Sequence, residues 1–448
     1  MLGVIKIFLT ETKKTFYLAF PMILGQLGHI FLMNANTAMV GHVGVNDLAA
    51  ISFGGIIVIW LIIVGMGLCS AVHVLVARSV GAERQQTSSE VLKHNMWISA
   101  IYGILLGSIV YFNIDLLEKL GQPAAVVTVA KSYVKILGWI ILPVMLFRTF
   151  RNYCEAWNNP WPSFFVTIGV VVVSIFLNWG FIFGKFGMAP LGAKGAAIGA
   201  IISNWLGFLA LFIMVATSQR YALKWTVKSV LSVDWRQFKE QLKIGIPTAF
   251  QIAFEFGSVL MATFMMGWLG ASELAAQQIT TSYTGFVFMI PLGISFAITI
   301  RIGQAVGARD RLAVRRVGFY GTGLGATVMM FVVILTLLLR QFIPTLYTND
   351  ISVINIVINL LIIASVYQIM DGVQVVCMGA LRGMADVVIP TIVVIASYWI
   401  IGLGSGYLMA FKLHFGAIGV WAGLAVGTIV VGCFHIWRFH RVTKNWTH

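Results

Sequence analysis

The chain has 448 residues, of which 59% are hydrophobic and only 10% are Asp, Glu, Lys or Arg. Soluble domains carry about 25% charged residues, so this composition excludes a water-soluble globular protein, and the absence of short-period or polar repeats excludes disorder, collagen and coiled coil. A net charge of +15 is typical of a membrane protein that keeps Lys and Arg on its cytosolic side. Because the basic residues are scattered, we expect no nucleic-acid partner.

A bilayer crossing takes about 20 apolar residues in a helix, and the sequence contains twelve apolar segments of this size. In chain order the predicted spans are 16–40, 51–77, 95–113, 125–147, 162–184, 195–217, 244–268, 276–300, 317–340, 352–379, 389–411 and 416–437. The first follows Lys13 and Lys14 but is too long for a signal peptide and contains Pro21. We therefore predict that it is a membrane helix and that it stays in the chain.

The loops between these spans differ strongly in charge. With the N-terminus inside, the cytosolic set holds 23 of the 30 basic residues, counting Arg148, Arg151 and Arg382 among them. The opposite loops hold the other seven. Positive charge is retained on the cytosolic side, so both termini are predicted to be cytosolic.

The four cysteines lie in or near apolar segments and form no CxxC or CxxxC pair, so the sequence indicates neither a disulfide scaffold nor a zinc site. They are Cys69, Cys154, Cys377 and Cys433. No HExxH, paired metal-binding His cluster, Gly-rich phosphate loop or nucleophile elbow is present, so we expect no enzyme activity and no organic cofactor.

The two halves of the chain repeat each other. At a shift of 226, residues 21–82 overlay the second half without a gap, and Pro21 meets Pro247. Further matches are Thr37 with Thr263, Met39 with Met265, Gly41 and Gly44 with Gly267 and Gly270, and Gly67 with Gly293. Because each half has an even number of spans, both halves enter from the cytosol.

This repeat predicts an all-α integral membrane protein with twelve transmembrane helices in two six-helix lobes, related by a pseudo-two-fold axis along the membrane normal. We predict an N-lobe over 1–217, a basic cytosolic linker over 218–243, and a C-lobe with a short tail over 244–448. Transporters with parallel repeats place their site between the halves, near the midplane.

Two acidic residues, Glu255 and Asp371, fall deep inside predicted spans. At the helical rise Glu255 lies roughly 18 Å from each end of its span and Asp371 roughly 16 Å deep, where a charge costs on the order of 3 kcal/mol. Tyr367, Asp371 and Gln374 share one helix face. No Lys or Arg lies inside either predicted span, so the sequence indicates a bound cation, Na⁺ or a proton. The alternative is a pair of neutral buried acids that hydrogen-bond helices together.

The first half carries polar residues at related places. His29 matches Glu255 at the shift of 226, and Gln26, Asn36 and Asn178 also lie within spans. We interpret these four as a possible polar site of the N-lobe. Amides in membrane helices often only hydrogen-bond across the bundle, so a purely structural role is the alternative.

Several motifs resemble those of one transporter family. Its first-helix Pro … Asp-Thr-x-Met-x-Gly is similar to Pro21 … Asn36-Thr37-Ala38-Met39-Val40-Gly41, and its seventh-helix motif is similar to Gly245-Ile246-Pro247 … Phe254-Glu255. Its tenth-helix motif is similar to Tyr367-Gln368-x-x-Asp371 … Gln374-Val375 … Gly379-Ala380-Leu381-Arg382-Gly383. Across most of its length the chain thus resembles the multidrug and toxic compound extrusion (MATE) family, in particular its NorM-like bacterial branch.

The resemblance implies a cation-coupled antiporter in the bacterial inner membrane that exports organic cations and other amphipathic toxic compounds. It implies a cation site at Glu255, Tyr367 and Asp371, which would bind Na⁺ if sodium is the coupling ion. The family's first-helix acid is Asn36 here, which shifts weight from proton coupling in the first lobe to the second-lobe site. We expect the chain to act as a monomer. Candidate substrate-cavity residues are Phe254, Met265, Phe286, Met289, Gln251 and Gln278.

Two rival interpretations remain. A lipid-linked precursor flippase of the same superfamily needs cationic side chains deep in the spans to hold pyrophosphate, and the predicted spans contain no deep Lys or Arg. A channel would leak ions without exchange, which a liposome flux assay detects.

Overall fold

The computed structural model describes residues 2–221 and 232–445, and this part of the chain is built from long helices. Twelve of them are long and apolar enough to cross a membrane, which confirms the all-α architecture and the twelve predicted spans. They are α1 Leu2–Gly41, α2 Val45–Gly81, α3 Gln85–Phe112, α4 Ala124–Ala156, α5 Pro160–Phe183, α6 Ala193–Thr217, α7 Trp235–Leu269, α8 Ala271–Gly307, α9 Arg311–Leu339, α10 Ile351–Gly383, α11 Val388–Lys412 and α12 Gly416–Lys444. Lys224 and Lys228 of the predicted linker lie outside the described residues.

The repeat is visible in the helix boundaries. Helices α2 and α8 both have 37 residues, and their ends are offset by 226. The turns that follow contain Glu83 and Arg309, each with φ of 56°, a left-handed conformation that non-glycine residues seldom adopt. Both halves therefore use the same turn geometry as well as the same sequence pattern.

Most helices run further than the predicted spans, as α4 and α10 illustrate. Helix α4 continues to Ala156 and α10 to Gly383, so Arg148, Arg151 and Arg382 lie within helices. They belong to helical extensions beyond the predicted span ends rather than to irregular loops. A hydropathy pattern stops at the first charge, whereas backbone hydrogen bonds continue the helix wherever the charged side chains find partners or solvent.

The chain divides into two compact units whose boundaries fall inside α1 and α7. Unit 1 combines the residues up to Ile23 with those from Phe250 onward, and unit 2 contains Leu24–Ala249. Each boundary follows a proline within the helix, Pro21 or Pro247, where the ladder of backbone hydrogen bonds lacks a donor. Compared with the predicted lobes, the first half of α1 belongs to the unit that contains the rest of the C-lobe, and the first half of α7 belongs to the unit that contains the rest of the N-lobe.

Close glycine contacts explain how each half-helix joins its unit. In unit 2, a Cβ on Gly67 would lie 2.3 Å from the Cα atom of Ala249. In unit 1, a Cβ on Gly293 would lie 2.4 Å from Cγ1 of Ile23. Both pairs are related by the shift of 226. The missing side chain lets the helices approach closely, as glycine does in membrane helix packing.

Candidate functional site

The acids predicted to bind a cation lie together in unit 1. Nε2 of Gln374 on α10 donates a hydrogen bond to Oε1 of Glu255 on α7, at 3.3 Å. Asp371 interacts electrostatically with Glu255 and lies close to the Gln374 amide, and Tyr367 interacts with Asp371. The structure therefore brings the predicted trio together with Gln374, which the helical spacing had placed on the same face.

Local helix geometry explains this placement. Tyr367, Asp371 and Gln374 follow i, i+4 and i+7 spacing within the continuous helix α10, so their side chains project from one face. On α7, the hydroxyl of Ser258 donates to the backbone carbonyl of Glu255 at 2.7 Å. Glu255, Tyr367 and Asp371 are each half-buried, so the site combines anionic oxygens with a partly closed environment.

Tyr398 is a site residue that the sequence interpretation missed. Its hydroxyl oxygen accepts hydrogen bonds from Gln374 Nε2 and Thr428 Oγ1, both at 3.4 Å. It also interacts electrostatically with Glu255 and Asp371. Tyr398 stands in a π-helical turn of α11, Ser397–Gly402, a local irregularity often found at functional sites. The only sequence signal for Tyr398 as a site residue was that a phenol lies within an apolar span.

A buried cation lies in α10 just beyond the predicted span, which ended at residue 379. Arg382 in the last turn of α10 is buried, and its guanidinium interacts electrostatically with Glu255. When Glu255 and Asp371 are both ionised, the guanidinium of Arg382 balances one of their two negative charges. A single negative charge then remains. His435 on α12 is fully buried near Arg382.

The oxygens in this cluster fit a hard monovalent cation. Carboxylate, phenol and amide oxygens are the kind of ligands that hard cations prefer. Here the carboxylates are those of Glu255 and Asp371, the phenols those of Tyr367 and Tyr398, and the amide that of Gln374. Within residues 2–221 and 232–445, no group of three or more His, Cys, Asp or Glu side chains could hold a metal ion. The side chains of this cluster offer oxygen ligands, whereas transition metals favour imidazole and thiolate ligands.

The proposed substrate-cavity residues have different surroundings. Met265 is buried in the apolar core of unit 1, and Gln251 is buried as well. The Phe254 ring lies 5.7 Å from that of Trp399, whose Nε1 donates to the Phe254 carbonyl at 3.0 Å. Phe286 and Gln278 are exposed and Met289 is half-buried.

In unit 2 the four predicted polar residues do not form a single site. Nδ2 of Asn178 on α5 donates to Oδ1 of Asn36 on α1 at 2.7 Å. His29 instead lies 3.4 Å from Nη1 of Arg151, measured at its Nε2 atom. Gln26 is buried, and its side-chain oxygen has no hydrogen-bond partner in the described structure. Seven residues of helix, roughly 10 Å of rise, separate His29 from Asn36.

Unit 2 also contains a charged cluster that the sequence interpretation missed. Glu155 on α4 accepts from Nε of Arg151 at 2.8 Å and contacts Nε2 of His73 on α2 at 3.0 Å. All three side chains are buried. The spacing of Arg151 and Glu155, four residues apart at the end of a predicted span, was the available signal. Arg148 and Arg151 also remove the sequence argument against a flippase, because cationic side chains do lie within the helices.

Comparison with known proteins gives a consistent picture. The MatE family model matches residues 21–180 and again 247–408, so the family match repeats as the sequence does. A probable multidrug resistance protein NorM from Rhodopseudomonas palustris is 33% identical over 440 residues, covering 97% of this chain and 93% of the relative. A probable NorM of Rhizobium meliloti is 31% identical over 446 residues, covering 97% and 94%.

Solved structures share the fold at lower identity. A point mutant of the Vibrio cholerae MATE transporter VcmN superposes with a TM-score of 0.89 at 20% identity, covering 99% of both chains. The eukaryotic MATE transporter AtDTX14 superposes with a TM-score of 0.87 at 22% identity, covering 98% of both chains. Both comparisons show that the fold is shared along nearly the whole chain.

Proposed function

This chain belongs to the MatE family of membrane transporters, and on that premise we propose that it is a cation-coupled antiporter. It exports organic cations and amphipathic toxic compounds by alternating access, with Na⁺ or a proton as the counter-ion. The names of the NorM relatives, which describe multidrug resistance proteins, support this substrate class. The observation that carries the coupling is the acid cluster of Glu255 and Asp371 inside unit 1.

Charge balance explains why this cluster should exchange a cation. Glu255 lies near one buried guanidinium, that of Arg382, and Asp371 adds a second carboxyl beside Glu255, so one further positive charge neutralises the ionised site. A buried charge without compensation is costly. The cation is Na⁺ or a proton on a carboxyl, and either one stabilises the cluster.

Coupling follows if the cation binds the two conformations with different affinity. In the outward-facing state the cation binds Glu255, Asp371 and the Tyr367 hydroxyl, and the drug leaves. In the inward-facing state, drug binding favours release of the cation. Because linkage is reciprocal, each ligand weakens the binding of the other by the same factor.

We favour Na⁺ over H⁺ as the coupling ion on two grounds. Asn36 occupies the position of the family's first-helix acid, and an amide does not take up a proton at physiological pH. The cluster in unit 1 offers two phenol oxygens beside the carboxyls, those of Tyr367 and Tyr398, which a sodium ion can use as ligands and a proton does not need.

The test is dye efflux from vesicles that contain the purified chain, under an imposed Na⁺ gradient and then under an imposed pH gradient. Glu255→Gln and Asp371→Asn should each abolish gradient-driven efflux, because each removes a charge that binds the cation. Glu118→Gln, at an exposed acid, is the control and should transport normally. Wild-type rates in both site variants would remove the proposed coupling site.

The same vesicles separate the rival functions. A channel would dissipate the Na⁺ gradient without dye, whereas an antiporter should do so only when dye is present. A flippase of lipid-linked precursors would move a labelled polyprenyl pyrophosphate between leaflets and would leave the dye gradient unchanged.

We further propose a bacterial inner-membrane location with both termini in the cytosol, supported by the excess of Lys and Arg in alternate loops and the positive-inside rule. Labelling of single cysteines introduced at Glu118 and at Arg316 in intact cells is the test. A membrane-impermeant maleimide should label the first position and not the second.

A further inference from the structure

A cluster of basic side chains in unit 2 has no role in the proposed cation site. It consists of His29 on α1 with Arg151 on α4, backed by Glu155 and His73. Arg148 lies three residues before Arg151 on α4, on the same helix face, and interacts electrostatically with His29. Arg151 holds this basic cluster together, since it contacts His29 at 3.4 Å and Glu155 at 2.8 Å.

The basic cluster has an excess of positive charge. Glu155 is in ion-pair contact with Arg151, and its other oxygen contacts His73. Among the described acidic side chains none forms an ion pair with Arg148, although Glu155 acts on it through space. Two guanidinium groups therefore share one carboxylate. Since an uncompensated cation within a helix bundle is costly, the cluster attracts an anion.

The repeat places this basic cluster where unit 1 has its acids. His29 matches Glu255 at the shift of 226. The turns after α4 and α10 match at a shift of 227, with φ of 55° at Asn158 and 60° at Ala385, so Glu155 matches Arg382. At these two positions an acid of one half corresponds to a base of the other, whereas Asp371 matches Val144 at the shift of 227.

The hydrogen-bond geometry leaves donors available. A guanidinium only donates, so Nε2 of His29 accepts from Arg151 and Nδ1 carries the proton. His29 and Arg148 are half-buried, whereas Arg151, Glu155 and His73 are buried. Gly25 leaves room for Arg151, because a Cβ there would lie 3.0 Å from Nη2 of that residue. The three buried side chains thus support Arg148 and His29, which are half-buried and can donate hydrogen bonds to a ligand.

We infer that Arg148 and His29 form an anion-binding site, which takes either a carboxylate of an amphipathic substrate or an inorganic anion such as chloride. Guanidinium groups bind carboxylates through short charge-assisted hydrogen bonds, and a neutral imidazole N–H adds a second donor. If the anion is the carboxylate of a substrate, the inference rests on the proposed export function. The exported compound would then carry both a positive charge and a carboxylate, and the carboxylate would bind to Arg148 and His29.

The test is binding to the purified full-length chain, so that it does not depend on transport. Rhodamine B and its ethyl ester share one cationic dye core, but only rhodamine B has a carboxylate. In fluorescence anisotropy titrations, Arg148→Gln should weaken binding of rhodamine B about tenfold and that of the ester less than about twofold, the range expected for losing one charge-assisted hydrogen bond. Arg148→Lys, which keeps the charge, should retain part of the preference.

A second arm identifies an inorganic ligand. Replacing chloride with gluconate should lower the melting temperature of the wild type but not of Arg148→Gln if chloride occupies the site. Arg316→Gln, at an exposed arginine, is the control and should follow the wild type in both arms. Equal loss of both dyes in folded Arg148→Gln, or unchanged dye binding together with no chloride effect, would overturn the inference. Failure of the proposed export function would instead show as absent gradient-driven efflux with dye binding intact.

Discussion

The amide nitrogen of Gln374 lies 3.3 Å from Oε1 of Glu255, so a hydrogen bond joins α10 to the half-buried acid of α7. The same amide lies 3.4 Å from the Tyr398 hydroxyl. Gln374 thus holds the carboxylate and the phenol in fixed positions, and this gives it a positioning role in the proposed cation site.

Gln374→Leu should weaken cation binding without abolishing transport. Removing one hydrogen bond to a charged group costs about 1.5–3 kcal/mol, so the Na⁺ concentration for half-maximal efflux should rise about tenfold or more while the maximal rate changes little. The measurement is initial efflux rate against external Na⁺. An unchanged half-saturation value would show that Gln374 does not position Glu255.

Glu155→Gln should destabilise the protein strongly. The substitution leaves the buried Arg151 guanidinium without its carboxylate partner, and breaking a buried pair in this way costs about 3–5 kcal/mol. A lower melting temperature in detergent is the expected result. Glu118→Gln removes an equally short but exposed contact, to Lys131, and should leave the melting temperature unchanged. Similar melting temperatures for the two variants would contradict the role of the buried pair.

Gly67→Ala should loosen the packing of α2 against α7. The added Cβ would lie 2.3 Å from the backbone Cα atom of Ala249, which cannot rotate away, so we expect a loss of about 1–3 kcal/mol. Gly293→Ala should cost less, because its nearest neighbour is a side-chain atom of Ile23. Gly169→Ala, with open space around it, is the control for thermal unfolding. The reverse order of stabilities would contradict the contact geometry.

Asn36→Asp should introduce proton dependence. It places a carboxyl where the Asn178 amide nitrogen donates at 2.7 Å, at the position where the similar first-helix motif has Asp. We expect efflux driven by a pH gradient to increase relative to wild type, while Na⁺-driven efflux is retained. Vesicles with a pH gradient and no Na⁺ provide the measurement, and equal rates in the two proteins would exclude a proton site at this position. We expect the proton dependence of efflux to increase because a carboxyl titrates and an amide does not.

The charged residues show where sequence reasoning reached its limit. Glu255, Asp371 and Tyr367 were identified from depth and helical spacing, because both depend only on local geometry. Arg382 and the Arg151–Glu155–His73 cluster were missed, because Arg382, Arg151 and Glu155 were taken as loop or span-end residues. Hydropathy cannot show that a charge at a span end is buried against a helix far away in the sequence.

The sequence by itself determined the twelve membrane helices, the internal repeat and the family, because a bilayer crossing demands a long apolar run and a duplicated half keeps its register. Tertiary structure decided which charges are paired, where α1 and α7 change units, and that Tyr398 joins the acid cluster. These features depend on contacts between helices distant in sequence, and burial and hydrogen bonding there override the composition of any single segment.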